Sequence, residues 1–415
     1  MSKVIHTNFI PFNKPYVVGT EVAYLNQCIL NEHMSGNGAF TKKCEEILEK
    51  IPGVRQAFLT TSCTHALEMT ALLLDLQPGD EVIVPSFTFP STANAFALRG
   101  VRPVFADIRP DTMNIDEAQI EQLITPRTKA LVVVHYAGIA CEMDVILQIA
   151  EKHRLAVIED NAHGLFGKYK GKYLGTFGVM AAQSFHETKN FSCGEGGALL
   201  VNREEYIERA EIIREKGTNR SSFFRGEIDK YSWVDIGSSY VLSDLLAAFL
   251  YASLEAAAKI QTRRREIWLR YEAGLRDWAQ ANDVGLPIVP AECEQAYHMF
   301  YLLLPSPEER TRLIEYLCRE KIHSIFHYQP LHLSKMGREF GGKVGDCPIT
   351  ETVSECLLRL PFYNDFSLEE QNYVIEKVKE YKVKKSVPYA CGLSVQVINF
   401  LTFFSDSFLQ CAYQL

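Results

Sequence analysis

Between Val54 and about Asn202, short apolar runs recur at a spacing that leaves room for a helix between successive pairs. Glu81 to Val84, Arg102 to Ala106, Ala130 to His135, Leu155 to Ile158, Val179 to Phe185 and Ala198 to Val201 read as strands, with helical patterns between them. That alternation predicts a mostly parallel sheet covered by helices on both faces. It also directs attention to one edge, because ligands of open α/β sheets sit outside the carboxyl ends of the strands.

Downstream, Ser243 to Ala279 contains no proline and a single glycine, and is rich in Ala, Leu, Glu and Arg, as one long helix or two would be. Tyr297 to Leu304, Glu308 to Glu320, Ile322 to His327 and Leu368 to Tyr381 have the pattern of a compact α+β unit. A chain of 415 residues with 47% hydrophobic content can bury a large core and a smaller second one. Residues 1–250 are therefore assigned to a large α/β domain, 251–385 to a small C-terminal α+β domain and 386–415 to an apolar tail. Polar breaks at Gln396, Asn399, Ser405 and Asp406 leave the tail short of a membrane span. An interfacial helix, a packing arm and the product of an altered reading frame all remain open for it.

Three clusters at predicted strand ends carry chemistry. Lys189 follows the run Val179 to Phe185 among small residues and hydroxyls, in Ser184-Phe185-His186-Glu187-Thr188-Lys189-Asn190, with Gly194-Glu195-Gly196-Gly197 beyond. Such an amine is suited to condense with an aldehyde cofactor, as pyridoxal phosphate (PLP) enzymes require, although a surface lysine is the commoner case. Asp160 closes the run Leu155 to Ile158 and is the carboxylate chosen to keep a pyridine nitrogen protonated. Its bland alternative is a helix N-cap. Glu159 competes for the role, but strand alternation points it to the opposite face. His163 reads equally well as a donor to the cofactor's phenolic oxygen or as an ordinary satisfied histidine.

The third cluster, Thr60-Thr61-Ser62-Cys63-Thr64, leads into an apolar helix through Leu74. The first turn of a helix leaves amide N–H groups unpaired, so hydroxyls at Ser62 and Thr64 complete a phosphate cradle, and Ser184 is a further donor. Simple N-capping explains one hydroxyl but not four in five positions. Pro85-Ser86-Phe87-Thr88-Phe89-Pro90 follows another strand, and Phe89 or Phe87 is placed to stack on a flat heterocycle.

Composition narrows the partners. A net charge of −8 argues against a nucleic-acid ligand, which calls for basic stripes. Eleven scattered cysteines without a CxxC pair fit a reducing cytoplasm and exclude a recognisable zinc motif, so no metal is expected. The start Met1-Ser2-Lys3-Val4-Ile5-His6-Thr7-Asn8 has no apolar segment of a secretion signal. Gly36-Asn37-Gly38 lacks the preceding strand and third glycine of a dinucleotide loop and reads as a flexible turn.

In this order, phosphate cradle, aromatic platform, carboxylate and lysine resemble the DegT family of PLP-dependent sugar-nucleotide aminotransferases, over nearly all of Ile10 to about Lys382. His135-Tyr136-Ala137-Gly138 adds to the likeness, and so does the stretch from Arg214-Glu215-Lys216-Gly217-Thr218-Asn219-Arg220 through Asp229-Lys230-Tyr231-Ser232-Trp233. That last stretch marks the subgroup that makes dTDP-4-amino-4,6-dideoxygalactose for surface polysaccharides.

The resemblance implies a fold type I PLP-dependent transferase, a cytoplasmic homodimer with shared active sites, and L-glutamate and a dTDP-linked 4-keto-6-deoxyhexose as substrates. It makes Lys189 the cofactor-bearing lysine, pairs Asp160 with the pyridine nitrogen, sets His163 near the phenolic oxygen and stacks Phe89 on the ring. Ser62, Cys63, Thr64 and Ser184 then line the phosphate. Family members often place a partner asparagine on that phosphate, in a Gly-x-Asn-Tyr context; here Gly237-Ser238-Ser239-Tyr240 puts Ser239 there. Lys216, Arg220, Arg225 and Lys230 are the nearest dense supply of cations for a nucleotide diphosphate, and His327 and His332 are expected to reach the sugar.

Three rivals are weighed. A related sugar dehydratase carries histidine where Lys189 stands. A noncatalytic regulator on the same fold would tolerate loss of Lys189 or Asp160, and both are present. A nicotinamide oxidoreductase would need a glycine fingerprint after its first strand. A 3-keto sugar nucleotide remains the alternative substrate.

Overall fold

The computed structural model describes residues 9–384, and the apolar tail 386–415 lies outside the described residues. Its centre is a seven-stranded sheet of β1 (Gln56–Thr60), β2 (Glu81–Pro85), β3 (Arg102–Ala106), β4 (Thr128–Val134), β5 (Ala156–Asp160), β8 (Met180–Ser184) and β9 (Gly197–Val201), in the order β1-β9-β8-β5-β4-β2-β3. Two-residue strands β6 (Lys168–Tyr169) and β7 (Lys172–Tyr173) form a hairpin between β5 and β8. Only β9 runs against its sheet neighbours; the other adjacent pairs are parallel. Six carboxyl ends therefore share one edge, and the start of β9 joins them there.

The sheet is sandwiched. On one side α3 (Cys63–Leu73) packs on β8 and β9, with α4 (Ser91–Ala97) and α7 (Ile207–Arg214) beside it. On the other lie α1 (Glu21–Leu30), α2 (Ala39–Glu49) and α9 (Asp244–Glu255) over β1, β8 and β9, and α5 (Glu117–Leu123) with α6 (Met143–His153) over β3 to β5. Strand residues buried on both faces explain why the runs in the sequence are apolar throughout rather than alternating. β1 was not among the predicted strands, since its apolar run Ala57-Phe58-Leu59 is only three residues long. β5 outruns its predicted end because Glu159 is satisfied without water: it accepts from the N–H groups of Gly175, Phe177 and Gly178 at 2.7 Å each, and His135 lies at 2.9 Å.

The predicted long helical region divides at Ala256 into α9 and α10 (Ala257–Ala281). A second apolar core forms where Ile267, Tyr271 and Leu275, four residues apart on α10, meet Val374, Ile375 and Val378 of α14 (Leu368–Glu380). Each such burial contributes roughly 1.5–3 kcal/mol. Helix α14 starts at a capping box in which Ser367 and Glu370 satisfy each other's backbone N–H. This core also holds α11 (Pro307–Arg319) and the two-stranded sheet of β11 (Tyr301–Leu303) and β12 (Leu357–Arg359). Short elements complete the description: α8 (Arg220–Phe224), β10 (Cys293–Glu294), α12 (Lys335–Glu339) and α13 (Pro348–Cys356).

Ile322 to His327 is no continuous strand; it makes single bridges, Ile322 to Ile10 and Ile325 to Arg359. The Gly36-Asn37-Gly38 turn is tied down rather than loose: Asn37 bonds Glu215 and Arg214, and Gly38 precedes α2. No helix among the described residues is long and apolar enough to cross a membrane.

Candidate active site

The carboxyl edge of the sheet gathers the predicted clusters. Ser62 caps α3 in an extended conformation, its hydroxyl accepting from His65 N at 3.1 Å, so the first N–H groups of the helix face the sheet edge. The Thr64 hydroxyl lies 2.7 Å from that of Ser91. Gly197 stands opposite both Thr60 and Ser184 in the strand register, which brings Ser184 to the Ser62 side of the site. No side chain fits at Gly197: a Cβ there would sit 2.3 Å from the Ser62 carbonyl carbon and 2.4 Å from Cys63 N. Burial drives the Cys63 thiol pKa well above its ordinary range, so Cys63 contributes an uncharged thiol.

Asp160 ends β5, and Lys189 lies five residues beyond β8. Burial pulls the Lys189 ammonium down to about 8, opposed by Cys63 and Asp160. Burial likewise raises the Asp160 carboxyl, offset in part by Thr92 Oγ1 at 2.7 Å, Ala162 N at 3.2 Å and Lys189. Desolvation dominates at both groups, and the charge of each works against the shift of the other. Thr88 supports Thr92 at 2.8 Å, which fixes the carboxylate from behind.

His163 is buried, and its Nδ1 has no hydrogen-bond partner among the described residues. Its ring stacks on His298 at 4.1 Å and 15°. His298 Nδ1 bonds Asn190 Oδ1 at 2.9 Å, and Asn190 Nδ2 donates to Ala296 O at 2.7 Å, so the histidine pair is braced against the residue next to Lys189. His327 joins them, 2.9 Å from the Tyr136 hydroxyl and 6.2 Å from His163 between ring centres. Burial pushes all three histidines well below their ordinary range, and they are neutral at pH 7. Phe89 is 58% exposed near Tyr328, whereas Phe87 is packed inside. Of the two candidate platforms, Phe89 alone keeps a free face.

Other expected residues stand elsewhere. His332 is fully buried, with Nδ1 2.6 Å from Ser86 and Nε2 3.0 Å from Glu351; both ring nitrogens are engaged, so the expectation that it reaches a sugar is corrected to a structural role. Lys216, Arg220, Arg225, Lys230 and Ser239 lie exposed on the segment 216–239, outside the buried cluster. Arg225 is already held by Glu211 and Glu227 at 2.7 Å each, and Arg220 covers the Phe224 ring. Thr92, Asn190 and His298 were missed. Thr92 meets Asp160 from 68 residues away and His298 meets Asn190 from 108, whereas Asn190 shares a motif with Lys189.

Hydroxyls and helix N–H groups for a phosphate, a buried carboxylate, an amine with a lowered pKa and an orphaned buried imidazole nitrogen at one sheet edge suit PLP. Fold and site together define a fold type I PLP-dependent transferase. Residues 16–379 match the model of the DegT/DnrJ/EryC1/StrS aminotransferase family, and the chain belongs to that family. It is 32% identical to the spore coat polysaccharide biosynthesis protein SpsC of Bacillus subtilis, over 90% of this chain and 97% of that one. To GDP-perosamine synthase of Escherichia coli O157:H7 it is 31% identical, over 90% and 98%. Spr1654 of Streptococcus pneumoniae, a chain assigned to the sugar aminotransferases, superposes in its PLP form with a TM-score of 0.83 at 28% identity, covering 90% of this chain and 98% of that one. A PMP form of the same neighbour superposes at 0.84. The chain is a PLP-dependent sugar aminotransferase.

Proposed function

We propose that the protein transfers the amino group of L-glutamate to a dTDP-linked 4-keto-6-deoxyhexose, giving dTDP-4-amino-4,6-dideoxygalactose for surface-polysaccharide synthesis. When bound, PLP supplies an aldehyde carbon and an electron-accepting ring. Ser62, Thr64 and Ser184, with the N–H groups opening α3, hold its phosphate, and Cys63 lines that cradle. Asp160 would hold a proton at the ring nitrogen, His163 Nδ1 would serve the phenolic oxygen, and Phe89 would cover one face. Lys189 would hold the aldehyde carbon, and its amine would be the group that moves a proton at the donor's α-carbon. An amine pulled down to about 8 suits that exchange, and the meeting of Lys189 with the buried Asp160 at the carboxyl edge of the sheet, where the charge of each acts on the other, is the observation that carries the reading.

The sugar half is supported by likeness in Arg214 to Trp233 and by the relatives' names, which place two of them in polysaccharide or nucleotide-sugar chemistry. His327, buried beside His163 and Tyr136, is the histidine left for the sugar once His332 is set aside. Lys216, Arg220 and Lys230 are exposed cations for the diphosphate, Lys216 only loosely paired with Glu215 at 3.7 Å, and Arg225 would have to leave Glu211 and Glu227 to join them. In a homodimer these exposed residues and Ser239 would face the site of the partner subunit. Scattered cysteines with no CxxC pair accord with a reducing cytoplasm. The GDP-perosamine synthase relative favours a GDP-linked sugar as the second reading. Glutamate and a panel of 3-keto and 4-keto sugars on dTDP, UDP and GDP, with products assigned by NMR, decide between them. Amination of the dTDP 4-keto sugar to the galacto product is expected, and turnover of only a GDP-linked or 3-keto sugar would overturn the proposal.

A further inference from the structure

The segment Ala296-Tyr297-His298 is held at each of its residues by a distant part of the chain. Ala296 N donates to Gly138 O at 2.9 Å, and Ala296 O accepts from Asn190 Nδ2 at 2.7 Å. Arg264 of α10 donates to Tyr297 O at 2.9 Å and to His298 O at 2.6 Å. So close an approach needs a glycine opposite: at Gly138, where φ is +83°, a Cβ would stand 2.8 Å from both the Ala296 Cβ and the His163 carbonyl oxygen. Tyr297 is itself left-handed, with a φ of 52°, a conformation that a tyrosine adopts at a cost and that its surroundings must impose. A strained and fully pinned segment thus presents His298 to the site.

The same hydrogen bonds settle which nitrogen of His298 carries the proton. Ala296 O can only accept, so the Asn190 amide turns Nδ2 to it and Oδ1 to His298, whose Nδ1 lies 2.9 Å away. Burial keeps the His298 ring neutral, and its single proton is therefore on Nδ1. His163 is set differently. No hydrogen bond at its Nδ1 fixes the ring plane, which leaves that task to packing. Tyr136 meets the ring edge-on at 6.1 Å and His327 stands off at 6.2 Å, whereas His298 lies flat against it at 4.1 Å and 15°. We infer that His298 is a positioning residue: locked through Asn190, it is the plate against which His163 lies, and it fixes the plane in which His163 meets the cofactor's phenolic oxygen. This rests on the proposed place of His163 at that oxygen.

Two measurements test it. In wild-type apoprotein carrying isotope-labelled histidine, long-range proton–nitrogen NMR spectra should show His298 as the Nδ1–H tautomer with a bare Nε2. An Nε2–H tautomer removes the lock and overturns the inference, and this arm needs no variant to fold. The second measurement titrates PLP into apoprotein of wild type, His298→Ala, His163→Ala and the double variant. His298→Ala should weaken PLP binding about tenfold, yet by less than about twofold when His163→Ala is already present, because its effect runs through the imidazole already removed. If His163→Ala weakens PLP binding and the loss from His298→Ala is the same in both backgrounds, the role of His298 falls while the place of His163 stands. If His163→Ala leaves PLP binding unchanged, the place of His163 falls and the inference falls with it.

Discussion

The sheet edge around Lys189 and the segment 214–239 are opposites in how far one chain completes them. At the edge, Asp160, Glu159, His135 and Asn190 find their hydrogen-bond partners within the chain. Along 214–239, Trp233 is 78% exposed, Phe224 68% and Tyr231 51%, beside exposed cations of which Lys216 is only loosely paired. Clustered exposed aromatics of this kind mark an interaction surface. The chemistry is thus built within one chain, whereas the exposed segment waits for a second surface, and the proposed homodimer supplies it.

The largest effect expected is at Lys189. Lys189→Ala should lower turnover by roughly 10²–10⁴-fold with the circular dichroism of wild type. Retained turnover would end the assignment of the central amine. In wild-type apoprotein, capture of the aldehyde should rise with pH about a midpoint near 8, read from the visible band. A raised midpoint near that of ordinary lysine would mean that the site is wet. The linked stability follows the same sign: an unfolded lysine titrates near about 10.4, so between the two values the unfolded chain binds more protons, and apoprotein stability should climb with pH across that window.

Next is Asp160→Asn, for which slower turnover by about 10²-fold is expected from loss of the charge that holds the ring proton. The apoprotein should move the other way. The folded pKa of Asp160 is raised, so the native state binds more protons than the unfolded one and loses stability as pH rises through that range. Removing the charge should leave melting at neutral pH unchanged or higher, and a clear drop would assign Asp160 a structural role. The smallest effect sharpens the contrast from the other region. Trp233→Glu should weaken self-association by about thirtyfold, or about 2 kcal/mol, in sedimentation equilibrium, with the fold retained. Undisturbed association would free that segment from the dimer.

Much of this was legible in the primary structure because it is local. Six of the seven sheet strands appear as apolar runs, and the catalytic candidates sit at their ends, where a parallel sheet must deliver ligands. The helix break at Ala256 was beyond reach, since Glu255, Ala256 and Ala257 all suit a helix interior. His332 misled because a histidine in Gln329-Pro330-Leu331-His332 carries no sign that Ser86 and Glu351 wait for its two nitrogens.

The chain's own order of residues therefore determined the sheet, the hydroxyl cradle, the amine and its acid partner, since strand ends and helix starts are set by periodicity within a dozen residues. Only the tertiary structure decided that His298 stacks on His163, that Asn190 braces His298 and that Thr92 steadies Asp160. Those facts depend on which distant segments meet, and burial, which sets every shifted pKa in the site, exists only once they do.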